Sequence, residues 1–155
     1  MRVVLQRVSW ARVAVGGEGV AAIGPGLLAL VGAADGDEAA DAERLALKTV
    51  RLRLFPQGER GFERTLAEVG GELLCVSQFT LHADVRRGNR PSWAAAAPAE
   101  AAAPLVEAYA ATVAAEGVPV ARGRFGAMMA VTLENDGPVT IVLDSADLSR
   151  PRRGA

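Results

Sequence analysis

The sequence predicts a single mixed α/β domain, with largely antiparallel sheets and two helices, on three observations. Short runs of β-branched and apolar residues alternate with Gly- and Pro-rich punctuation along most of the chain. Two longer segments switch to helical period. The 155 residues, half of them hydrophobic, suffice for one core and show no linker or internal repeat. Residues 1–155 therefore read as one domain, with about residues 146–155 as a loose tail carrying Arg150, Arg152 and Arg153.

The elements follow in order. Arg2 to Ser9, Ala11 to Val15, Val20 to Ile23 and Leu27 to Gly32 read as strands, separated by Gly16-Gly17 and Gly24-Pro25-Gly26. Between Asp37 and Arg51 the apolar positions Ala42, Leu45, Ala46, Thr49 and Val50 fall on one face, which predicts an amphipathic helix. Leu52 to Phe55 is extended, Pro56-Gln57-Gly58 turns, and Glu72 to Leu81 is a mostly apolar strand. A second helix spans Pro98 to Glu116 with Leu105, Val106, Tyr109 and Val113 on one face, Pro104 near its start and Gly117 to end it. Strands at Val118 to Arg122, Met128 to Leu133 and Val139 to Leu143 complete the order ββββ-α-ββ-α-βββ.

Composition narrows the chemistry. No apolar run is long enough to span a bilayer and the N-terminus lacks a signal segment, so the expected location is cytoplasmic. A lone cysteine, Cys75, cannot form an intramolecular disulfide and reads as a buried thiol. One histidine and one cysteine cannot supply the usual zinc ligand sets, so no metal is expected. No phosphate-binding glycine loop of either common pattern occurs, which argues against a nucleotide cofactor, and none is expected. The net charge of −1 gives no general footprint for nucleic acid, and no DNA partner is expected. Arg86, Arg87 and Arg90 nevertheless cluster within five residues, where a solvated loop or a phosphate contact are both open. His82 is the only base for a serine pair, yet five residues of strand set Ser77 and His82 on opposite faces unless the chain bends after Thr80.

Two segments remain. Ser77-Gln78-Phe79-Thr80 closes an apolar strand, where it forms either an alternating edge or hydroxyls and free N–H groups lining a cleft. Asn135-Asp136-Gly137-Pro138-Val139-Thr140 lies between two strand-like runs and reads as a hairpin turn. The same Gly-Pro step can instead present main-chain carbonyls to a ligand, particularly if the bond is cis.

Taken together, Ser77 to Leu81, the run Arg87-Gly88-Asn89-Arg90-Pro91-Ser92-Trp93, the hexapeptide Asn135 to Thr140 and the opening Met1 to Val8 resemble the D-aminoacyl-tRNA deacylase (D-tyrosyl-tRNA deacylase) family. The resemblance runs from Met1 to about Ser145. It implies a β/β/α layered homodimer that hydrolyses the ester joining a D-amino acid to tRNA, a proofreading step in translation. It further implies a cis Gly137-Pro138 inserted into the partner's active site beside Ser77, Gln78, Phe79 and Thr80. Met129 is implied as a pocket-lining residue and Arg7 as the residue that fixes the Gly-Pro loop. The Arg86 to Trp93 segment is implied to shape or border the cleft; a contact of Arg87 or Arg90 with tRNA phosphate is a separate hypothesis, and the role of the cluster stays open.

An enzyme serving many D-amino acids must read what they share: the ammonium, the ester carbonyl and the handedness between them. Main-chain carbonyls can accept from the ammonium while blocking the position of an L side chain. Glycine has no side chain to exclude, so glycyl-tRNA is expected to be hydrolysed too. Backbone N–H groups near Phe79 and Thr80 are the expected oxyanion hole, with water or the tRNA 2′-hydroxyl as the reacting species. Thr80 as nucleophile is the alternative. Two further readings stay open: a non-catalytic tRNA-binding module, and a deacylase for L-alanyl or glycyl errors with a trans Gly-Pro bond.

Overall fold

The computed structural model describes residues 1–148. The first expected pair of strands is one long strand, β1 (Arg2–Val15), followed by β2 (Glu18–Ile23) and β3 (Gly26–Gly32). Helix α1 (Ala39–Arg51) leads to a small ribbon of β4 (Phe55–Gln57) and β5 (Arg60–Arg64), the latter lying beyond the predicted turn. Then come β6 (Glu72–Ser77), a 3-10 turn (Phe79–His82), α2 (Ala99–Ala115), β7 (Val120–Arg122), β8 (Ala130–Asp144) and α3 (Ser145–Leu148). Of the tail read from residue 146 onward, residues 146–148 are helical and the rest lie outside the described residues.

The main sheet runs β2-β1-β3-β6-β7, with β8 also paired to β1. Pairs around β1 are antiparallel, whereas β3 to β6 and β6 to β7 are parallel. Those two parallel steps need crossovers, and α1 and α2 lie within them. One core cluster fills the space between the sheet and the helices, with Val3, Leu5, Leu27, Ala29, Val31, Leu73 and Cys75 meeting the apolar faces of α1 and α2. A second lies on the opposite face and contains Val8, Ala11, Val13, Ile23, Leu28, Leu74 and Val76. In a regular strand Val8 and Ala11 would face opposite ways; the register shift between Val8 and Trp10, where β1 carries Ser9 as an extra residue, brings both to the second cluster.

The Asn135 to Thr140 segment is not a hairpin turn. Both of its flanks pair with β1 in one antiparallel direction, Gln6 opposite Thr140 and Val8 opposite Asn135, so β8 continues through it. Residues 136–139 bulge out opposite the single residue Arg7. Turn-forming side chains serve here to leave a strand and re-enter it, which local composition does not distinguish from chain reversal.

The strand at β6 also ends earlier than its apolar pattern suggests. It stops at Ser77, and Phe79 to His82 coil into the 3-10 turn. Gly32, at the end of β3, permits that bend: a Cβ there would lie 2.7 Å from the Gln78 carbonyl oxygen. Gln78 N–H still donates to the Val31 carbonyl at 2.8 Å, so the tetrad begins as sheet and finishes as helix.

Helices α1 and α2 share one buried polar contact. Thr49 Oγ1 lies 2.9 Å from Tyr109 Oη and donates or accepts there, while also lying 2.9 Å from the Leu45 carbonyl. Both side chains are fully buried, and burial raises the Tyr109 pKa far above its ordinary value, so the phenol stays neutral. Thr49→Val strands the phenol without a partner and is expected to cost about 1–3 kcal/mol, whereas Tyr109→Phe leaves Thr49 its Leu45 acceptor and costs about 1 kcal/mol. Urea unfolding of both variants measures the order, which reverses if the tyrosine is the residue that depends less on the contact.

Candidate functional site

Two structures compete for attention, a cleft at the end of β6 and the bulge on β8. The cleft encloses about 380 Å³ and is lined by Ser77, Gln78 and Phe79, the Trp93 and Phe125 rings, and the first turns of α2 at Ala99 and Ala102. Phe79 and Trp93 meet edge to face, centroids 5.4 Å apart at 75°, and both are substantially exposed. An aromatic pair left open to water at a cavity mouth suits an apolar or planar ligand group.

The polar tetrad at its floor is arranged by the 3-10 turn. Such a turn leaves the N–H groups of its first residues, Phe79 and Thr80, without acceptors inside the turn. Gln78 Nε2 donates to Thr80 Oγ1, which ties the threonine hydroxyl to a neutral amide. His82 Nε2 is engaged with the Gly32 carbonyl at 3.1 Å, and among the described residues no hydrogen bond joins it to Ser77. No serine–histidine relay therefore forms here. Cys75, one residue pair below Ser77 on β6, is buried with its thiol pushed up to about 12 by desolvation, so it remains protonated and non-nucleophilic at neutral pH.

The β8 bulge is held from three sides. The Gly137-Pro138 bond is cis, and Gly137 has φ 136°. Arg7 donates from Nε to the Asp136 carbonyl at 3.0 Å and from Nη1 to the Leu54 carbonyl at 2.6 Å, and it lies 3.2 Å from the Asp136 carboxylate. Its side chain is only 10% exposed, so the guanidinium is nearly buried and is anchored at both Nε and Nη1. Across the base of the bulge, Asn135 Oδ1 accepts from Val139 N–H at 2.9 Å, and Asn135 Nδ2 donates to Thr140 Oγ1 at 3.0 Å. The asparagine thus substitutes for the ladder bonds that the bulge removes.

On one chain these two structures are far apart. Register places Arg7 level with Leu27 and Leu73, while Ser77 is level with Val31 and Val3, four residues further along β1. Three strand spacings separate β8 from β6, and on a flat sheet the offset amounts to roughly 19 Å. Gly137 and Pro138 accordingly do not line the cleft.

Met129 packs against the second core layer, and a Cβ at Gly123 would come within 2.8 Å of its sulfur. It stands behind the end of β6 rather than in the cleft wall. Residues 84–92 form a small closed loop, with Asp84 and Ser92 exchanging backbone bonds at 2.8 and 2.9 Å. Arg86 is spent within it on a two-pronged contact to Asp84, at 2.8 and 2.7 Å, and these bonds hold the Asp84 carboxyl well below its usual range. Phe125 and the Leu54 carbonyl are not among the expected site residues. Phe125 lies in Gly123-Arg124-Phe125-Gly126, a glycine-flanked aromatic between strands that hints at an exposed role. Leu54 reaches Arg7 through its carbonyl while its side chain is buried in the core, and no side-chain pattern reveals that contact.

Among the described residues no group of histidine, cysteine and carboxylate side chains could hold a metal ion, and no helix is long and apolar enough to cross a membrane.

Comparison with known proteins places the chain in a family. The family model for D-Tyr-tRNA(Tyr) deacylase matches residues 4–144. A D-aminoacyl-tRNA deacylase of Roseiflexus sp. (strain RS-1) is 59% identical over 152 residues, covering 98% of both chains. That of Chloroflexus aurantiacus is 58% identical over 153 residues, covering 99% of this chain and 96% of the relative. Among solved structures, a c-Myc DNA unwinding element binding protein superposes with TM-score 0.87 at 37% identity, over 93% of this chain and 98% of its own. A probable eukaryotic D-amino acid tRNA deacylase superposes with TM-score 0.77 at 18% identity, over 92% and 97%, which shows a shared fold. With a match across nearly its whole length, the chain belongs to the D-aminoacyl-tRNA deacylase family, hydrolases of the ester that links a D-amino acid to tRNA.

Proposed function

We propose that this deacylase is a chiral proofreader of translation that works in the cytoplasm as a homodimer, each subunit's Gly137-Pro138 entering its partner's cleft beside Ser77 to Thr80. The observation that carries the proposal is the separation of the two structures on one chain: a site using both must draw on two chains. The 15 residues of β8 support it further, since among the described residues they pair only with β1 and leave one edge of the strand open. A DNA-binding role, suggested by the name of one structural relative, finds little support in a chain of net charge −1.

In this reading the substrate is tRNA charged with a D-amino acid or with glycine. Carbonyls of the bulge accept from the substrate ammonium and occupy the volume an L side chain would need. The D side chain points outward. Met129 backs the pocket from behind β6. The N–H groups of Phe79 and Thr80 donate to the oxyanion that develops on the ester carbonyl, each contributing about 3–4 kcal/mol. Thr80 Oγ1 accepts from Gln78, and among the described residues no base is hydrogen-bonded to it, so in this reading water or the tRNA 2′-hydroxyl carries the chemistry while Ser77 and Gln78 orient the floor. No metal or cofactor enters the scheme.

The direct test is deacylation of D-tyrosyl-, L-tyrosyl- and glycyl-tRNA side by side. Rapid loss of the D and glycyl esters with L-tyrosyl-tRNA spared is expected; equal D and L rates would sink the steric account. Thr80→Val is expected to retain turnover within about tenfold, the scale of one lost hydrogen bond. A fall of roughly a millionfold, as when a nucleophile is removed, would instead make the hydroxyl the attacking group. Arg7→Lys keeps the charge but loses the fork that reaches both Asp136 and Leu54, so the ratio of D to L rates should drop by about tenfold or more with little change in the tetrad's intrinsic rate on glycyl-tRNA. An unchanged ratio would show that the bulge does not need Arg7 to hold its aim.

A further inference from the structure

The arginine cluster at 86–90 divides into two kinds of residue. Arg86 is consumed by Asp84, with its backbone N–H also donating to that carboxylate at 3.0 Å, and this contact braces the closed loop. Arg87 and Arg90 are exposed and, among the described residues, form no ion pair and no hydrogen bond. Gly88, at φ 63°, turns the chain between them. The loop ends on Ser92, directly before Trp93, whose ring lines the cleft and packs on Phe79. Two uncompensated guanidinium groups therefore stand on the loop that runs directly into the cleft-lining Trp93, in a protein whose overall charge is −1.

That combination has a specific use. The aminoacyl ester lies at the end of a polyanion, and whichever residues hold the nucleotides outside the cleft must meet phosphodiester oxygens. Arginine forks match those oxygens, and a net-negative protein needs local cations to overcome its own repulsion of the chain. Pairing with Asp84 removes Arg86 from that task while keeping the loop closed. Resting on the deacylase reading above, we propose that Arg87 and Arg90 are the phosphate-contacting residues for the acceptor end of the substrate tRNA, and that Arg86 is a positioning residue that shapes the loop carrying them.

The experiment measures kcat/KM for D-tyrosyl-tRNA across a KCl series, with D-tyrosyl-adenosine, which has no phosphodiester, as the parallel substrate. Each of Arg87→Gln and Arg90→Gln should flatten the slope of log kcat/KM against log salt by about 0.7, the single-strand value for one lost phosphate contact. Hydrolysis of the adenosine ester should stay at the wild-type rate in both. Arg51→Gln, which removes an exposed positive charge from α1, should leave the slope unchanged and so separates local contact from net charge. Unaltered slopes in both loop variants overturn the assignment. A slope change matched by Arg51→Gln also overturns it, since that would be a long-range charge effect. An equal loss on the adenosine ester would likewise overturn it, showing that the loop acts on the cleft itself. Failure of the wild-type protein to hydrolyse D-tyrosyl-tRNA would be a separate result, refuting the deacylase reading on which the assignment stands.

Discussion

A nearly buried guanidinium is the constraint around which this molecule is organised. Arg7 sits in the middle of β1, on the side chain face that otherwise holds Val3 and Leu5, and its cost of desolvation is met only because carbonyls are supplied to it from two directions. Leu54 supplies one from the segment that follows α1. Asp136 supplies the other, together with its carboxylate, from the bulge on β8. The strand that carries most of the sheet's pairing thus also fixes the position of an irregular loop and of a helix exit, through one planar group with a rigid fork. A lysine in that place would offer a point charge to two acceptors that need an angle.

From that constraint follows a separation of duties. The sheet places an apolar cleft floored by Ser77 and Gln78 at the C-terminal end of β6, and it places the Gly137-Pro138 bulge several strands away. The floor bears little acid–base equipment: the histidine is occupied by Gly32, the cysteine is buried and protonated, and the threonine hydroxyl is bound to an amide. What the floor does offer is directional N–H groups in a turn that cannot use them internally. An ester already disposed to hydrolyse requires positioning and charge stabilisation more than it requires a strong nucleophile.

Periodicity and turn chemistry made much of this architecture legible. The face of α1 bearing Ala42, Leu45, Ala46, Thr49 and Val50 is the buried face, and α2 ends at the Gly117 that was expected to stop it. Joins were harder. Arg2 to Ser9 and Ala11 to Val15 are one strand because a bulge beside Val8 changes the face without breaking the ladder, and the same device hides the continuity of β8. Such irregularities are stabilised by partners distant in sequence, Arg7 for the bulge and Gly32 for the bend after Ser77, so a local window reads a turn or a longer strand instead. The tetrad and the Gly-Pro step stood out by residue type, yet their distance on one chain is a property of register and is invisible before the strands are paired. Phe125 and the Leu54 carbonyl belong to the same class of information.

A recognition surface made of peptide carbonyls has an unusual relation to its gene. Codons specify side chains, and the groups proposed to read handedness here are common to every codon. Most substitutions around the bulge would therefore leave the reading groups chemically intact. Vulnerability is confined to positions that set the backbone's path: Gly137, where any Cβ would meet Val139 at 2.7 Å and Arg7 at 3.0 Å, Pro138, Asn135 and Arg7 itself. Such a filter cannot drift gradually toward a different enantiomer by swapping side chains; it can be kept or broken, and its history should be written in very few residues.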